Sequence, residues 1–416
     1  MTDQTASYAD FEALRAALGL PDEFELCSVG WEESQQRYET EAAGFLSPEF
    51  VETTCAFLKM APEVVEAFRH ALPLIRANEA LMRFAWHGHH MLCKHTFDRD
   101  HSVGNWPPVP EHLGEPGRML YAFVFLSGTP FLRELHAARG IPEEVTADTL
   151  NDIQVWMRTY QSVYGELGFD HNGWMMNRFR EALYQLGRLQ FEIAHYKHDY
   201  HAFRNRETRE LRVLAGDGMR FRRDGLCDGT NDILDEEAWT ATYRRDEGAV
   251  HGCPITPDGR AHNRTETLDL TEWDCVLEQG APILSVHISQ SGPMGHAACV
   301  DSYRRAIDFF PKYVPEHPFD AFYTATWLLD HQLGDHLPAS SNIVRFLRDW
   351  YIIPGPGAND HQTIERTFGF GVTDPFSVPA KTTLQKKIVE HMKNGGRWHG
   401  AMGLIFPEDV GRSITE

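Results

Sequence analysis

SVHISQSGPMGHAACVDSYRRA, residues Ser285 to Ala306, decides how the second half of the chain is read. A short apolar run passes into a turn of Ser, Gly and Pro, and a helical pattern follows at once. Ile283, Ser285, His287 and Ser289 share one strand face, and Leu284, Val286 and Ile288 share the other. The turn is QSGPMG, and the helix is expected from near Gly295 to about Phe310. The first amides of such a helix lack intrahelical partners, and its macrodipole adds partial positive charge there. A pyrophosphate fits that end, and glycines let the backbone approach it closely. A plain strand-to-helix connection also favours Gly and Ser, so both readings stand at this stage. A Rossmann or Walker A site is not supported, because neither GxGxxG nor Gly-Lys-Ser/Thr is present.

The whole chain sets bounds on that ligand. Its 416 residues suffice for two or three domains, with 42% hydrophobic and 24% charged residues, an ordinary globular balance. A net charge of −21 argues against nucleic acid as the partner, since phosphate backbones need a basic surface. The opening MTDQTASYADFEALRAALGL has no basic or apolar leader pattern, and no run is apolar enough to span a membrane. The seven cysteines are scattered and odd in number, which fits reduced thiols, and a cytoplasmic protein is expected. Oligomeric state is left open.

The first half reads helical. SPEFVETTCAFLKM opens with Ser47 as N-cap and Pro48 at the first helical position. Helical spacing continues from Pro62 with an interruption expected near Pro73, and GNWPPVPEHLGEPG (Gly104 to Gly117) reads as a loop. The character changes near residue 181. GRLQFEIAHY puts Leu189, Phe191 and Ile193 on one strand face and Arg188, Gln190 and Glu192 on the other. RELRVLA and MRFRRDG read as strands, and Cys227 to about Asn263 as an irregular excursion. Strands are expected at FDAFYTATWLLD, TIERTFGFGV and AMGLIF, and helices at ACVDSYRRAIDFFPKY, SSNIVRFLRDW and TTLQKKIVEHMKNGG. The expected class is α+β, with a helical domain over 1–180 and a mixed β-sheet domain flanked by helices over 181–416.

One strand feeding a turn and helix, then a strand, a short helix and closing strands, resembles the order of GNAT-type acyltransferases. GRLQFE (Gly187–Glu192), VHIS with the following GPM (Val286–Met294), WLLDHQLGDHLPASSNIVRF (Trp327–Phe346) and GIPEEVTADTLNDIQVW (Gly140–Trp156) resemble a bacterial family of GNAT-like acyltransferases. That family joins a helical N-acyltransferase domain to a GNAT-like C-terminal domain, and the resemblance runs from about Ala43 to Phe406. It implies acyl-CoA as cosubstrate, lying between two parallel strands that splay apart, with no metal expected. Ser289, Gln290, Ser291, Gly292, Met294 and Gly295 would then hold the pyrophosphate, and Ser341 and Asn342 the ligand's other flank. The helical half would roof the wedge. The turn departs from the general GNAT pattern, Gln/Arg-x-x-Gly-x-Gly/Ala, at its first and last places, and Pro293 removes one amide donor.

Acyl transfer to an amine needs a neutral nucleophile. An alkyl amine of pKa ~10.4 is free base in about one molecule in 2,500 at pH 7, so a general base is expected. Glu192 is the first candidate, with an ion pair to Arg188 as its plain alternative. His287 is the second, with a hydrogen-bonded core histidine as the alternative. The amide of Ser289 or Gln290 would serve the oxyanion. Tyr351 would protonate the departing thiolate or simply pack, and Ser341 and Asn342 are also explained by helix capping. A competing constellation is WHGHHMLCKH, with His87, His89, His90, Cys93 and His95. His87 and His90 lie three apart with Cys93 extending the row, which would suit a metal-dependent hydrolase or oxygenase. A non-catalytic acyl-CoA-binding module is the remaining alternative. The expected function is N-acyl transfer from acyl-CoA to the amine of a small molecule.

Overall fold

The computed structural model describes residues 8, 10–41, 44–290 and 292–414. The chain forms two compact units, one of Met1–Leu186 with Ser289–Ser291 and one of Gly187–Ile288 with Gly292–Glu416.

The first unit is helical. Its α-helices among the described residues are α1 (Phe11–Leu18), α2 (Trp31–Glu41), α3 (Pro48–Phe57), α4 (Pro62–Arg76), α5 (Glu79–Lys94), α6 (Gly114–Ser127), α7 (Thr129–Ala138), α8 (Glu143–Leu150), α9 (Asp152–Tyr164) and α10 (Asn172–Phe179). Ser47 caps α3 as the sequence suggests, its side chain accepting from the Phe50 amide at 3.2 Å. The break expected at Pro73 falls later. Helix α4 runs through that proline to Arg76, and Asn78 ends the connection by capping α5 through the Ala80 and Leu81 amides. Helix α6 is the centre of the unit, with every residue from Met119 to Ser127 buried. A side chain at Gly128 would stand 2.5 Å from Phe179, so α6 and α7 meet at a residue without one. A short strand, Leu183–Leu186, closes the unit.

The second unit carries a mixed sheet of β1 (Leu189–His195), β2 (Pro282–His287), β3 (Ala321–Thr326), β4 (Tyr351–Pro354) and β5 (Ala401–Ile405). Within it the order is β1-β2-β3-β5-β4. Strands β2 and β3 are parallel and the other pairs antiparallel. Helix α11 (His296–Tyr313) follows β2, and α12 (Asn342–Arg348), α13 (His361–Phe368) and α14 (Thr383–Lys393) follow β3. Five strands form a second, antiparallel sheet in the order Arg260–Ala261, Pro254–Thr256, Leu211–Ala215, Tyr200–Asn205 and Trp273–Leu277. Ile283, Ala321, Tyr351, Met402 and Leu404 of the main sheet share one buried cluster with Tyr200, Val213 and Ile255 of this second sheet.

Two further expectations differ from the structure. The excursion from Cys227 to Asn263 contains short strands, among them Tyr243–Arg245, Ala249–Gly252 and Pro254–Thr256. They are two to four residues long and interrupted by Gly and Asp, too short to show a clear alternation. TIERTFGFGV is no strand; Thr363 and Ile364 point inward from α13, which Asn359 starts by accepting from the His361 amide at 3.1 Å. Among the described residues no helix is long and apolar enough to cross a membrane.

Candidate active site

Strands β2 and β3 pair at Ile283–Ala321, Leu284–Phe322 and Ser285–Tyr323 and no further, although β2 continues to His287 and β3 to Thr326. Where the backbone ladder stops, the Thr324 hydroxyl donates to the Val286 carbonyl at 2.9 Å. Each strand keeps its other partner beyond this point. Gln190 lies opposite His287, and Met402 and Ala401 lie opposite Ala325 and Thr326. The two parallel strands therefore part beyond Ser285 and Tyr323.

The two rival bases sit together at this point. Glu192 Oε2 lies 2.8 Å from His287 Nε2, and each side chain is about a third exposed, 28% and 32%. The alternative pairing of Glu192 with Arg188 is not what the structure contains. Arg188 turns to the glycine turn, where Nε donates to the Pro293 carbonyl at 3.1 Å and Nη2 to the Gly292 carbonyl at 2.9 Å. Its Nη1 is buried with no hydrogen-bond partner among the described residues. Burial pushes this guanidinium below its usual pKa. The Arg188 amide and the Leu189 amide both donate to Ser302 Oγ, at 2.7 and 3.3 Å, which fastens the start of β1 to α11.

The turn itself has the form the sequence suggests. Gly292 adopts φ 131°, a region that side chains avoid. A Cβ at Gly292 or Gly295 would meet nothing within 4 Å, so the turn's outer side is open. Gly295 is the N-cap of α11 and makes no side-chain capping bond, leaving the helix's first amides without intrahelical acceptors. The peptide joining Pro293 to Met294 is trans, so holding the Pro293 carbonyl on Arg188 directs the Met294 N–H the opposite way. Ser289 is buried and Gln290 exposed at the end of β2; Ser291 lies outside the described residues.

Two further residues complete this end of α11. His296, its first residue, bonds through Nε2 to Asp349 Oδ1 at 3.0 Å. Asp349 is the C-cap of α12 and buried, and desolvation raises its carboxyl pKa against the opposing pull of His296. Ser341 serves as the cap expected of it, accepting from the Ile343 amide at 3.3 Å, with Asn342 exposed beside it. At the other end of α12 its C-cap, Asp349, reaches α11 through His296. That contact had no signal in the sequence, whereas His296 stood directly after the glycine turn.

Tyr351 is buried and hydrogen-bonded to the backbone. It is 2% exposed, its hydroxyl donates to the Ile255 carbonyl at 2.6 Å, and burial pushes its pKa up. The proposed histidine row also separates. His87 is fully buried, with Nε2 on the Cys27 carbonyl at 2.7 Å and Nδ1 on Ser34 Oγ at 2.9 Å, and desolvation lowers its pKa to about 3. Cys93 Sγ lies beside His89 Nδ1 at 3.8 Å, and that nitrogen also meets Ser127 Oγ at 2.8 Å.

Comparison with known proteins agrees with this fold. The N-acyltransferase N-terminal domain model matches residues 49–180, and the GNAT-like C-terminal domain model matches residues 183–405. An acyltransferase crystallised with decanoyl-CoA and teicoplanin is similar in fold, with a TM-score of 0.64 and 22% identity over 95% of this chain and 99% of that one. An acyltransferase crystallised with decanoyl-CoA gives 0.63 and 24%, and one crystallised with CoA and 10C-teicoplanin gives 0.63 and 23%, each over 95% of this chain and 99% of the other. A search of curated proteins found no match. The parted parallel strands, the open glycine turn and both domain matches lead to one conclusion: the chain belongs to the acyltransferase family in which an N-acyltransferase N-terminal domain precedes a GNAT-like C-terminal domain.

Proposed function

We propose that the chain transfers an acyl group from a CoA thioester to the amine of a small molecule, with His287 as general base and Glu192 as its partner. The observation that carries this reading is the 2.8 Å contact between these two side chains, beside the point where β2 and β3 part. The amine nitrogen attacks the thioester carbon while the imidazole takes the amine proton. Glu192 steadies the imidazolium through Nε2, as a carboxylate does for a catalytic histidine. Collapse of the tetrahedral intermediate breaks the carbon–sulfur bond, and the imidazolium returns its proton to the CoA thiolate. Tyr351 is not needed for that step. The pyrophosphate would lie on the turn from Gly292 to Gly295 and the first amides of α11, with the Met294 amide in place of the one Pro293 lacks. The likeness to acyltransferases crystallised with decanoyl-CoA, and with CoA beside 10C-teicoplanin, supports a CoA thioester as donor.

The test has two arms. Thermal unfolding is followed with CoA and with decanoyl-CoA, and a rising Tm is expected, because a ligand bound only to the native state stabilises it. Release of CoA thiol from decanoyl-CoA is then followed with a panel of small primary amines and, separately, with the glycopeptide teicoplanin. Amine-dependent release with formation of the amide supports the reading. A Tm unmoved by millimolar CoA and acyl-CoAs would overturn the donor assignment. A Tm shift without turnover on any amine would favour an acyl-CoA-binding module.

A further inference from the structure

Helix α5 ends in a pair of histidines that the acyl-transfer site does not use. His90 is 3% exposed, and His95 is the C-cap, where the chain leaves helical geometry at φ −116° and ψ 25°. Glu33 stands near them from the first turn of α2. One ligand atom from each of Glu33, His90 and His95 falls within 4.8 Å of the others. Glu33 Oε1 is 3.7 Å from His90 Nε2, too far for a hydrogen bond. The Nε2 atoms of both histidines are buried and have no hydrogen-bond partner among the described residues. Two buried, bare imidazole nitrogens are a cost that one cation, shared with the exposed carboxylate of Glu33, would remove.

We infer that Glu33, His90 and His95 bind a single divalent cation of the zinc class. Two imidazole nitrogens and one carboxylate oxygen are a borderline donor set, which suits zinc in a tetrahedral site completed by water. The ion would tie α2 to α5, away from Glu192 and His287 in sequence and in a different unit, so its role is structural. The second cluster of this type, Asp330, His331 and His399, is less suited. There Arg260 Nη2 occupies His331 Nε2 at 2.5 Å, and Asp330 already accepts from the amides of Gln332 and His399 at 3.0 and 2.8 Å.

The full-length protein is purified from zinc-supplemented culture, desalted, and analysed for metal by mass spectrometry. About one zinc per chain is expected. Chelation should lower the Tm and zinc should restore it, and cobalt(II) added to the stripped protein should give the visible absorption of a four-coordinate site. Glu33→Gln, at an exposed position that folding tolerates, should weaken zinc at least about tenfold, and His90→Asn should abolish it. Cys93→Ser should retain the metal. Under about 0.1 zinc per chain together with no Tm response to added zinc would overturn the inference, a bound water then filling the gap. Full zinc occupancy surviving in both Glu33→Gln and His90→Asn would overturn it equally. Metal content is read without any acyl substrate, so this outcome is independent of the acyl-transfer proposal.

Discussion

Glu192 and His287 are diagonal neighbours on antiparallel strands. Ser285 is the residue opposite Glu192, and Gln190 the one opposite His287, yet the two side chains close to 2.8 Å along the same sheet face. Diagonal pairs are within reach only of long side chains, which both residues have. In the proposed mechanism this contact joins base and partner, which predicts non-additive kinetics. His287→Gln should lower kcat by about 10²–10⁴-fold, the usual worth of a general base. Glu192→Gln should cost less, because the imidazole remains but loses its partner. The double variant should be no slower than His287→Gln alone. The His287→Gln deficit should shrink at higher pH, where more of the amine is already neutral. Independent losses that multiply in the double variant would separate the two residues and remove the dyad.

Arg188 predicts a different kinetic signature. It holds two carbonyls of the glycine turn, so Arg188→Met should loosen the turn and raise KM for the acyl-CoA while changing kcat less. Arg188→Lys should rescue only part of the loss, since an ammonium lacks the planar fork that spans both carbonyls. Gly292 and Gly295 provide the control. Ala at Gly292 must adopt φ 131°, whereas Ala at Gly295 keeps an ordinary φ of −72° and meets nothing. Isothermal titration with CoA should show the larger loss at Gly292. Equal affinities in all four variants would mean that the pyrophosphate is held elsewhere.

How much of this was legible depends on range. The turn at Gly292–Gly295, the strand face of Glu192 and the caps at Ser47 and Ser341 are local patterns, and the structure contains each of them. The parting of β2 from β3 was implied only by family resemblance, because nothing in Val286 or Thr324 alone marks where a ladder stops. Partner choice was the weakest part. Arg188, Gln190 and Glu192 alternate correctly along β1, yet sequence cannot tell that Arg188 bends to the turn while Glu192 meets His287. The row of His87, His90 and Cys93 failed for the same reason. Helical spacing places side chains on a face, but Ser34 and the Cys27 carbonyl, distant in sequence, claim His87.

A buried ion pair in the helical unit gives a stability test. Arg178 on α10 is fully buried, as Asp152 on α9 nearly is, and the two are bonded. Arg178 also donates to the Trp174 carbonyl at 2.7 Å, and Asp152 accepts from Trp156 Nε1 at 2.8 Å. Arg178→Met leaves the Asp152 carboxylate buried without its cation, which should cost about 3–5 kcal/mol in chemical denaturation. Adding Asp152→Asn removes the stranded charge and should recover part of that loss. A double variant less stable than Arg178→Met would show that the charge was not the cause.

Acid should unfold the helical unit before its carboxylates protonate. Desolvation lowers the pKa of three of its histidines: His87 to about 3, and His89 and His136 to about 4. In the unfolded chain the same groups titrate near 6.5. As pH falls below ~6.5 the unfolded state takes up protons that the folded state refuses, so stability present at neutral pH is lost on acidification. Each such histidine contributes a slope of at most about 1.4 kcal/mol per pH unit, and three approach about 4 kcal/mol per unit. Urea unfolding at pH 7.5, 6 and 5, with chelator present to keep metal out of the comparison, reads this slope while Asp and Glu stay ionised. His136 is the residue to change. It is buried, meets Thr146 Oγ1 at 2.7 Å and stacks on Tyr184 at 5.5 Å, and Gln fills much of that space without titrating. His136→Gln should flatten the slope by about one proton. A stability that stays level or rises from pH 6.5 to 5 in the parent protein would mean that these imidazoles are solvated enough to charge in place.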